Sequence, residues 1–251
     1  MKKIVIGNWK MNPVSLEEAK NIYKYTNNIS KKCTSTEVVI CPPYIYLQSF
    51  LKNKDNSSLF VGAQNSFYEE QGSFTGEISA KMLKSLGVSY IIVGHSERRE
   101  MGETDEFISK KVQSILELGM RPVLCIGEKE RDINGLYLDF IKNQIKNSLN
   151  KVLKKNISKL IIAYEPLWAI GGKEAMSPRD ILEMSLFIKK TISDIYGHDE
   201  AISISILYGG SVNFRNATDI IVQGQVNGLL VGRESVNPTG FVELIKTIDL
   251  L

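Results

Sequence analysis

The chain has few histidines and cysteines, no long apolar run and little net charge, and each shortage removes a class of function. Two histidines, His95 and His198, are too few for a histidine-rich metal site. Three cysteines, Cys33, Cys41 and Cys125, are odd in number, show no paired spacing and match no zinc pattern. They read as reduced, partly buried thiols of a cytoplasmic protein. No segment approaches the ~18 apolar residues that a bilayer-spanning helix needs, and the apolar stretch at the amino terminus is too short for a signal peptide. A net charge of +3, with no Lys/Arg run interleaved with aromatics, leaves no footprint for nucleic acid or an acidic membrane surface. No Gly-x-Gly-x-x-Gly follows the first apolar run, and Gly-x-x-x-x-Gly-Lys-Ser/Thr does not occur. The nucleotide-binding fingerprints of open α/β sheets are therefore missing.

What is present is a rhythm. A short apolar run followed by a longer amphipathic segment recurs eight times, and no Pro/Ser-rich linker or low-complexity run interrupts it. Strands are expected at 4–7, 38–41, 59–63, 90–94, 122–126, 160–164, 203–207 and 228–231. Helices are expected at 15–28, 44–52, 79–86, 104–118, 136–153, 177–196, 213–223 and 238–249. Ser15-Leu16-Glu17-Glu18 is a capping-box start, Ser177-Pro178 a cap with proline in the first turn, and Gly87, Gly119 and Gly224 are helix stops. Eight units in 251 residues gives about 31 residues each, the size of a strand plus its crossover helix. The expected fold is a single (β/α)8 TIM-barrel domain spanning residues 1–251, with an open doubly wound sheet as the other arrangement for such a pattern.

In such a barrel the carboxyl ends of all strands share one face, so residues there can meet. The sixth strand ends in Glu165-Pro166, and proline holds the residue before it extended. Leu167, Trp168 and Ile170 follow, large apolar residues in a loop that must cover something; packing on the core would also account for them. The first strand leads into Asn8-Trp9-Lys10, a positive charge and an amide at the barrel mouth, although most lysines are simply surface residues. The fourth leads into His95 at the start of a helix-forming stretch. There the helix dipole disfavours imidazolium and a neutral ring would donate a hydrogen bond; a plain capping histidine fits equally. Glu97 could pair with Lys10, or with Arg98 or Arg99. His198 falls in a polar turn on the opposite face and is given no role. The seventh and eighth strands lead into Tyr208-Gly209-Gly210-Ser211 and Gly232-Arg233, turns whose unshielded backbone amides suit a phosphate.

Taken jointly, Gly7-Asn8-Trp9-Lys10-Met11-Asn12, Gly94-His95-Ser96-Glu97-Arg98-Arg99, Cys125-Ile126-Gly127-Glu128, Ala163-Tyr164-Glu165-Pro166-Leu167-Trp168-Ala169-Ile170-Gly171 and Tyr208-Gly209-Gly210-Ser211-Val212 resemble triosephosphate isomerases, in order and along the whole chain. The resemblance implies interconversion of dihydroxyacetone phosphate and glyceraldehyde 3-phosphate, a step of glycolysis and gluconeogenesis, without cofactor or metal. It implies Glu165 as base, His95 as neutral electrophile and Lys10, oriented by Glu97, as charge stabiliser. Asn8 would bind the substrate, and the amides of Gly171, Ser211, Gly232 and Arg233 would hold its phosphate. Residues 166–176 would close as a lid, latched by Tyr208 and Ser211, with Glu128 holding Trp168 in the open state. A loop carrying Thr75 would dock beside the partner's site in a homodimer. Three places depart from the pattern: Gly171-Gly172-Lys173-Glu174 replaces the usual Gly-Thr-Gly-Lys, Gly232-Arg233 replaces a glycine pair, and residues 100–103 are one short. Arg233 is expected to point outwards or add charge near the phosphate. An isomerase of a four-carbon ketose phosphate and a non-catalytic phosphate-binding barrel are the competing functions.

Overall fold

The computed structural model describes residues 2–51, 58–169 and 175–251. Its eight strands are β1 (Lys3–Asn8), β2 (Thr36–Cys41), β3 (Leu59–Ala63), β4 (Tyr90–Val93), β5 (Arg121–Ile126), β6 (Ile161–Tyr164), β7 (Ser205–Tyr208) and β8 (Gly228–Val231). They pair in parallel, each with the next, and β8 closes on β1 through the register Ile4↔Gly228 to Gly7↔Val231. The expected barrel is what forms.

Strand side chains alternate between two cores. Ile4, Ile6, Val39, Cys41, Tyr90, Ile92, Val123, Cys125, Ile161, Ala163, Leu207 and Leu230 fill the barrel interior. The intervening Val5, Val38, Ile40, Ile91, Leu124, Ile162 and Leu229 face the helices, where a second and larger core lies. Strands buried on both faces explain the unbroken apolar runs in the sequence.

The helices are α1 (Leu16–Ser30), α2 (Tyr44–Leu51), α3 (Ala80–Leu86), α4 (Ser96–Glu100), α5 (Asp105–Glu117), α6 (Leu136–Ser148), α7 (Pro178–Tyr196), α8 (His198–Ser203), α9 (Ala217–Val222) and α10 (Pro238–Asp249). The hydroxyls of Ser15 and Ser177, expected as caps, each accept a first-turn backbone N–H at 3.2 Å, and those of Ser79 and Thr104 do the same at 3.2 and 3.3 Å.

Some boundaries differ from the pattern, for tertiary or local reasons. The helix expected over 136–153 stops at Ser148. The Tyr196 hydroxyl bonds the carbonyls of Leu149 and Val152, and Ser109 accepts the Lys151 N–H, so these backbone groups have partners outside a helix. The helix expected from 213 starts at Ala217, because Asn213 and Asn216 side chains bond the amides of Arg215 and Asn213 and hold a turn. The seventh strand begins at Ser205 rather than 203, since 198–203 forms α8. His198 opens that helix, before the amino end of β7 and away from the strand ends that carry the site.

Candidate active site at the carboxyl ends of the strands

The same alternation that packs the barrel aims its last side chains. Ile4 and Ile6 point inward, and so does the next residue of that series, Asn8. Ile161 and Ala163 are followed in phase by Glu165, Leu207 by Gly209, and Leu230 by Gly232. Asn8, Lys10, His95, Glu165, Gly209, Ser211, Gly232 and Arg233 all border one cleft of about 560 Å³. Sequence positions as far apart as 8 and 233 thus converge on a single mouth.

His95 breaks phase. Gly94 takes a positive φ of 68°, a turn that L side chains resist, and this redirects the chain into α4. His95 becomes the N-cap of that helix, its Nδ1 accepting the Glu97 N–H at 3.3 Å. Its Nε2 lies 3.3 Å from Glu165 Oε1. The capping and electrophilic readings of His95 are one arrangement: the cap occupies Nδ1 and leaves Nε2 to carry the proton into the cleft.

Glu97 accepts from Lys10 Nζ at 2.7 Å. With both side chains partly exposed, the pair adds only ~0.2–1 kcal/mol to stability, and it holds the ammonium at the side of the cleft. Lys10 has φ +53°, a left-handed backbone for a non-glycine residue. Gln64 bonds its carbonyl at 2.8 Å and Asn8 Oδ1 accepts its N–H at 3.1 Å, which holds the strained turn. With its oxygen so used, Asn8 has its amide hydrogens for a ligand.

The Glu165 side chain is buried, and its Oε2 has no hydrogen-bond partner among the described residues. Burial works against its charge, but the His95 imidazole, the Cys125 thiol and the Lys10 ammonium outweigh burial and hold the carboxyl below its usual range. For His95, burial disfavours the imidazolium while the Glu165 carboxylate favours it, and the balance in the ligand-free site lies above the ordinary imidazole value. The Nδ1 bond from the α4 terminus works the other way, because a protonated Nδ1 could not accept it. The expected neutral ring is thus supported on one side of the imidazole and opposed on the other.

Two contacts with Glu165 were not anticipated from the sequence. A Cβ on Gly209 would sit 2.7 Å from Glu165 Cγ, so Gly209 makes room for the carboxylate as well as for a ligand. Cys125 belongs to the interior layer beside Ala163, which places its thiol under Glu165. The parity of β5 held that signal, since Val123 and Cys125 must share a face.

At the other side of the cleft, Gly232 precedes the 3-10 turn Arg233–Val236. Arg233 lies outside the positive-φ region, and its side chain is exposed on the rim. Ser211 donates to the carbonyl of Ala169 at 2.9 Å.

The model for the family described as triosephosphate isomerase matches residues 3–248. A triosephosphate isomerase of Aquifex aeolicus is 41% identical over 247 residues, covering 98% of this chain and 99% of that one. Those of Dictyoglomus thermophilum and Alkaliphilus oremlandii are each 40% identical over 248 residues at the same coverage. The chain belongs to the triosephosphate isomerase family.

Within the triosephosphate isomerase frame, the described residues include both flanks of the expected lid, while Ile170 lies outside them. Gly171, Gly172, Lys173 and Glu174 lie outside the described residues, and so does the Gly171 phosphate contact expected above. Pro166 is buried, and its carbonyl accepts the Ala169 N–H at 2.9 Å, closing the 3-10 turn Leu167–Ala169. Trp168 donates through Nε1 to Glu128 at 2.9 Å, and Tyr208 accepts the Met176 N–H at 3.0 Å. Glu128 was expected to hold Trp168 in the open state, and Tyr208 and Ser211 to latch the lid. Here the Glu128 bond, the Tyr208 bond and the Ser211 bond to Ala169 coexist, so they belong to one conformation. Glu128 lies just past β5, where it also accepts the Tyr164 hydroxyl, and this fixed position serves the latched flank.

Thr75 and its neighbours 71–77 are exposed. Phe74 packs at a tilt against Phe67, which packs against Tyr68 and Phe107, so an aromatic base supports the exposed loop. Among the described residues, no helix is long and apolar enough to cross a membrane.

Proposed function

We propose that this chain is an aldose–ketose isomerase that interconverts dihydroxyacetone phosphate and D-glyceraldehyde 3-phosphate through an enediolate, with side chains alone. The observation that carries the reading is the Glu165 carboxylate facing His95 Nε2 across the cleft at 3.3 Å, with Lys10 beside them. Once a substrate parts the pair, such a base and such a donor can reach a carbonyl oxygen and the carbon beside it. Glu165 removes the proton from the carbon next to the carbonyl. His95 donates from Nε2 to the carbonyl oxygen and passes protons between the two enediolate oxygens. Lys10 and the Asn8 amide stabilise the negative charge as it develops. The amides of Ser211, Gly232 and Arg233 receive the phosphate, and residues 166–176 cover the intermediate, excluding water that would promote loss of phosphate.

Substrate entering between Glu165 and His95 parts the two side chains. The influence that lifts the imidazole pKa is then weakened, while the Glu97 N–H still engages Nδ1. The neutral form is favoured at the moment it is needed.

The test is a coupled assay of the purified protein with glyceraldehyde 3-phosphate. A general base contributes about 10²–10⁴-fold. Glu165→Gln is therefore expected to lower kcat by about that factor with the fold intact; unchanged turnover would show that Glu165 is not the base, and a wild type without turnover would return the non-catalytic barrel as the better reading. Arg233 leaves the four-carbon ketose phosphate open to trial in the same assay. Its exposure on the rim favours the triose, because the guanidinium does not enlarge the phosphate end. The protein is further proposed to act as a cytoplasmic homodimer, on the strength of the exposed Thr75 loop and the unpaired thiols.

A further inference from the structure

Arg131, in the connection between β5 and α6, was assigned no role by the sequence, yet it touches both flanks of 170–174. Its Nε donates to Glu128 Oε1 at 3.1 Å, and one Nη donates to the Tyr164 hydroxyl at 3.2 Å. The same Nη reaches Met176 Sδ at 3.8 Å, and the guanidinium carbon lies 5.5 Å from the centre of the Trp168 ring. Trp168 is three residues after Glu165, and Met176 is eleven. The Glu128 carboxylate that holds the Trp168 indole is itself buried and has Arg131 as its counter-charge. Glu128 also accepts the Leu167 N–H through its carbonyl at 2.9 Å, two residues from the base.

We propose that Arg131 is a positioning residue for the isomerisation: it fastens the Trp168 and Met176 flanks to one point and, through Glu128 and Leu167, fixes the backbone that carries Glu165. Charge alone does not account for the contacts. They need a planar group that donates in two directions in its plane while its face lies near an aromatic ring, which arginine provides and lysine does not. The inference rests on the isomerase reading above.

Arg131→Met and Arg131→Lys, compared with the wild type, separate the possibilities. Two quantities are measured: the split between kcat and KM, and the share of turnovers that release inorganic phosphate. The second reports how firmly the enediolate is held, since a loosely held enediolate breaks its C–O bond and expels phosphate with the bonding electrons. Misplacement of a reacting group by an ångström can cost about 10²-fold. Both variants are expected to lose about tenfold or more in kcat with a smaller change in KM, and to release severalfold more phosphate per turnover. A fold that merely loosens would lower the yield of active protein without moving that share. Should Arg131→Met fail to fold, Arg131→Lys alone decides, because it keeps the charge. Wild-type kinetics and wild-type phosphate release in Arg131→Lys would overturn the proposal. An inert wild type would instead overturn the isomerase reading on which it stands.

Discussion

At Glu165 and His95, two buried groups share one short contact and push each other's titration in opposite directions. The carboxyl is held low and the imidazole is lifted. The proposed mechanism uses the carboxylate and the neutral ring together. In the free enzyme the lifted imidazole is the group that fails first as pH falls, since it protonates while Glu165 is still ionised. In the substrate complex the contact is interrupted and the imidazole loses part of what lifts it. The acid limb of kcat/KM, which reports the free enzyme, is therefore expected at higher pH than the acid limb of kcat, which reports the complex. Full pH–rate profiles check this, and coincident limbs would show that substrate leaves the pair undisturbed. Replacing His95 by Gln should remove the upper limb from kcat/KM and leave only the lower, carboxylate-dependent one.

On the scale of strands and turns, the barrel places each functional group by counting in twos. Gly209 follows Leu207 on the inward face and gives its Cβ space to Glu165. Gly209→Ala should therefore displace the carboxylate with little effect on folding. We expect kcat to fall by about 10²-fold while the melting temperature stays near that of the wild type. A variant with full kcat would mean that Glu165 does not need the position seen here. This counting was legible in the sequence. The apolar runs gave the strands, and the inward phase of Asn8, Glu165 and Gly232 follows from Ile6, Ala163 and Leu230. Cys125 was equally readable and went unread, because an apolar run gave no reason to look for chemistry within it. His95 could not be placed by phase, since Gly94 resets the chain. Arg131 lies in Lys129-Glu130-Arg131-Asp132, four adjacent charges that resemble any solvated loop until Tyr164, Trp168 and Met176 are brought against it. The early end of α6 was hidden for the same reason: Tyr196, whose hydroxyl bonds the carbonyls of Leu149 and Val152 just beyond it, is more than forty residues away.

For the molecule as a whole, the barrel has no free strand edge, so association has to use loops and helix faces. Met11, Phe74, Met82 and Met101 are exposed apolar side chains on connections or helices at or near the strand ends. Together with the exposed Thr75 loop they support a dimer that places this surface against a second copy. Sedimentation velocity should give twice the chain mass. Phe74→Asp, which puts a charge on that loop, should shift the population towards monomer and lower specific activity with it. A monomeric, fully active wild type would remove the partner from the function.

The left-handed backbone at Lys10 carries a further consequence. Glycine would adopt that conformation without penalty, whereas an L side chain there costs on the order of 1 kcal/mol. The fold and the proposed chemistry therefore make opposite demands on position 10. Variants screened for heat resistance alone would drift towards glycine there and be scored as improvements. A screen meant to harden this protein has to assay turnover at every round, or it will select the ammonium out of the cleft.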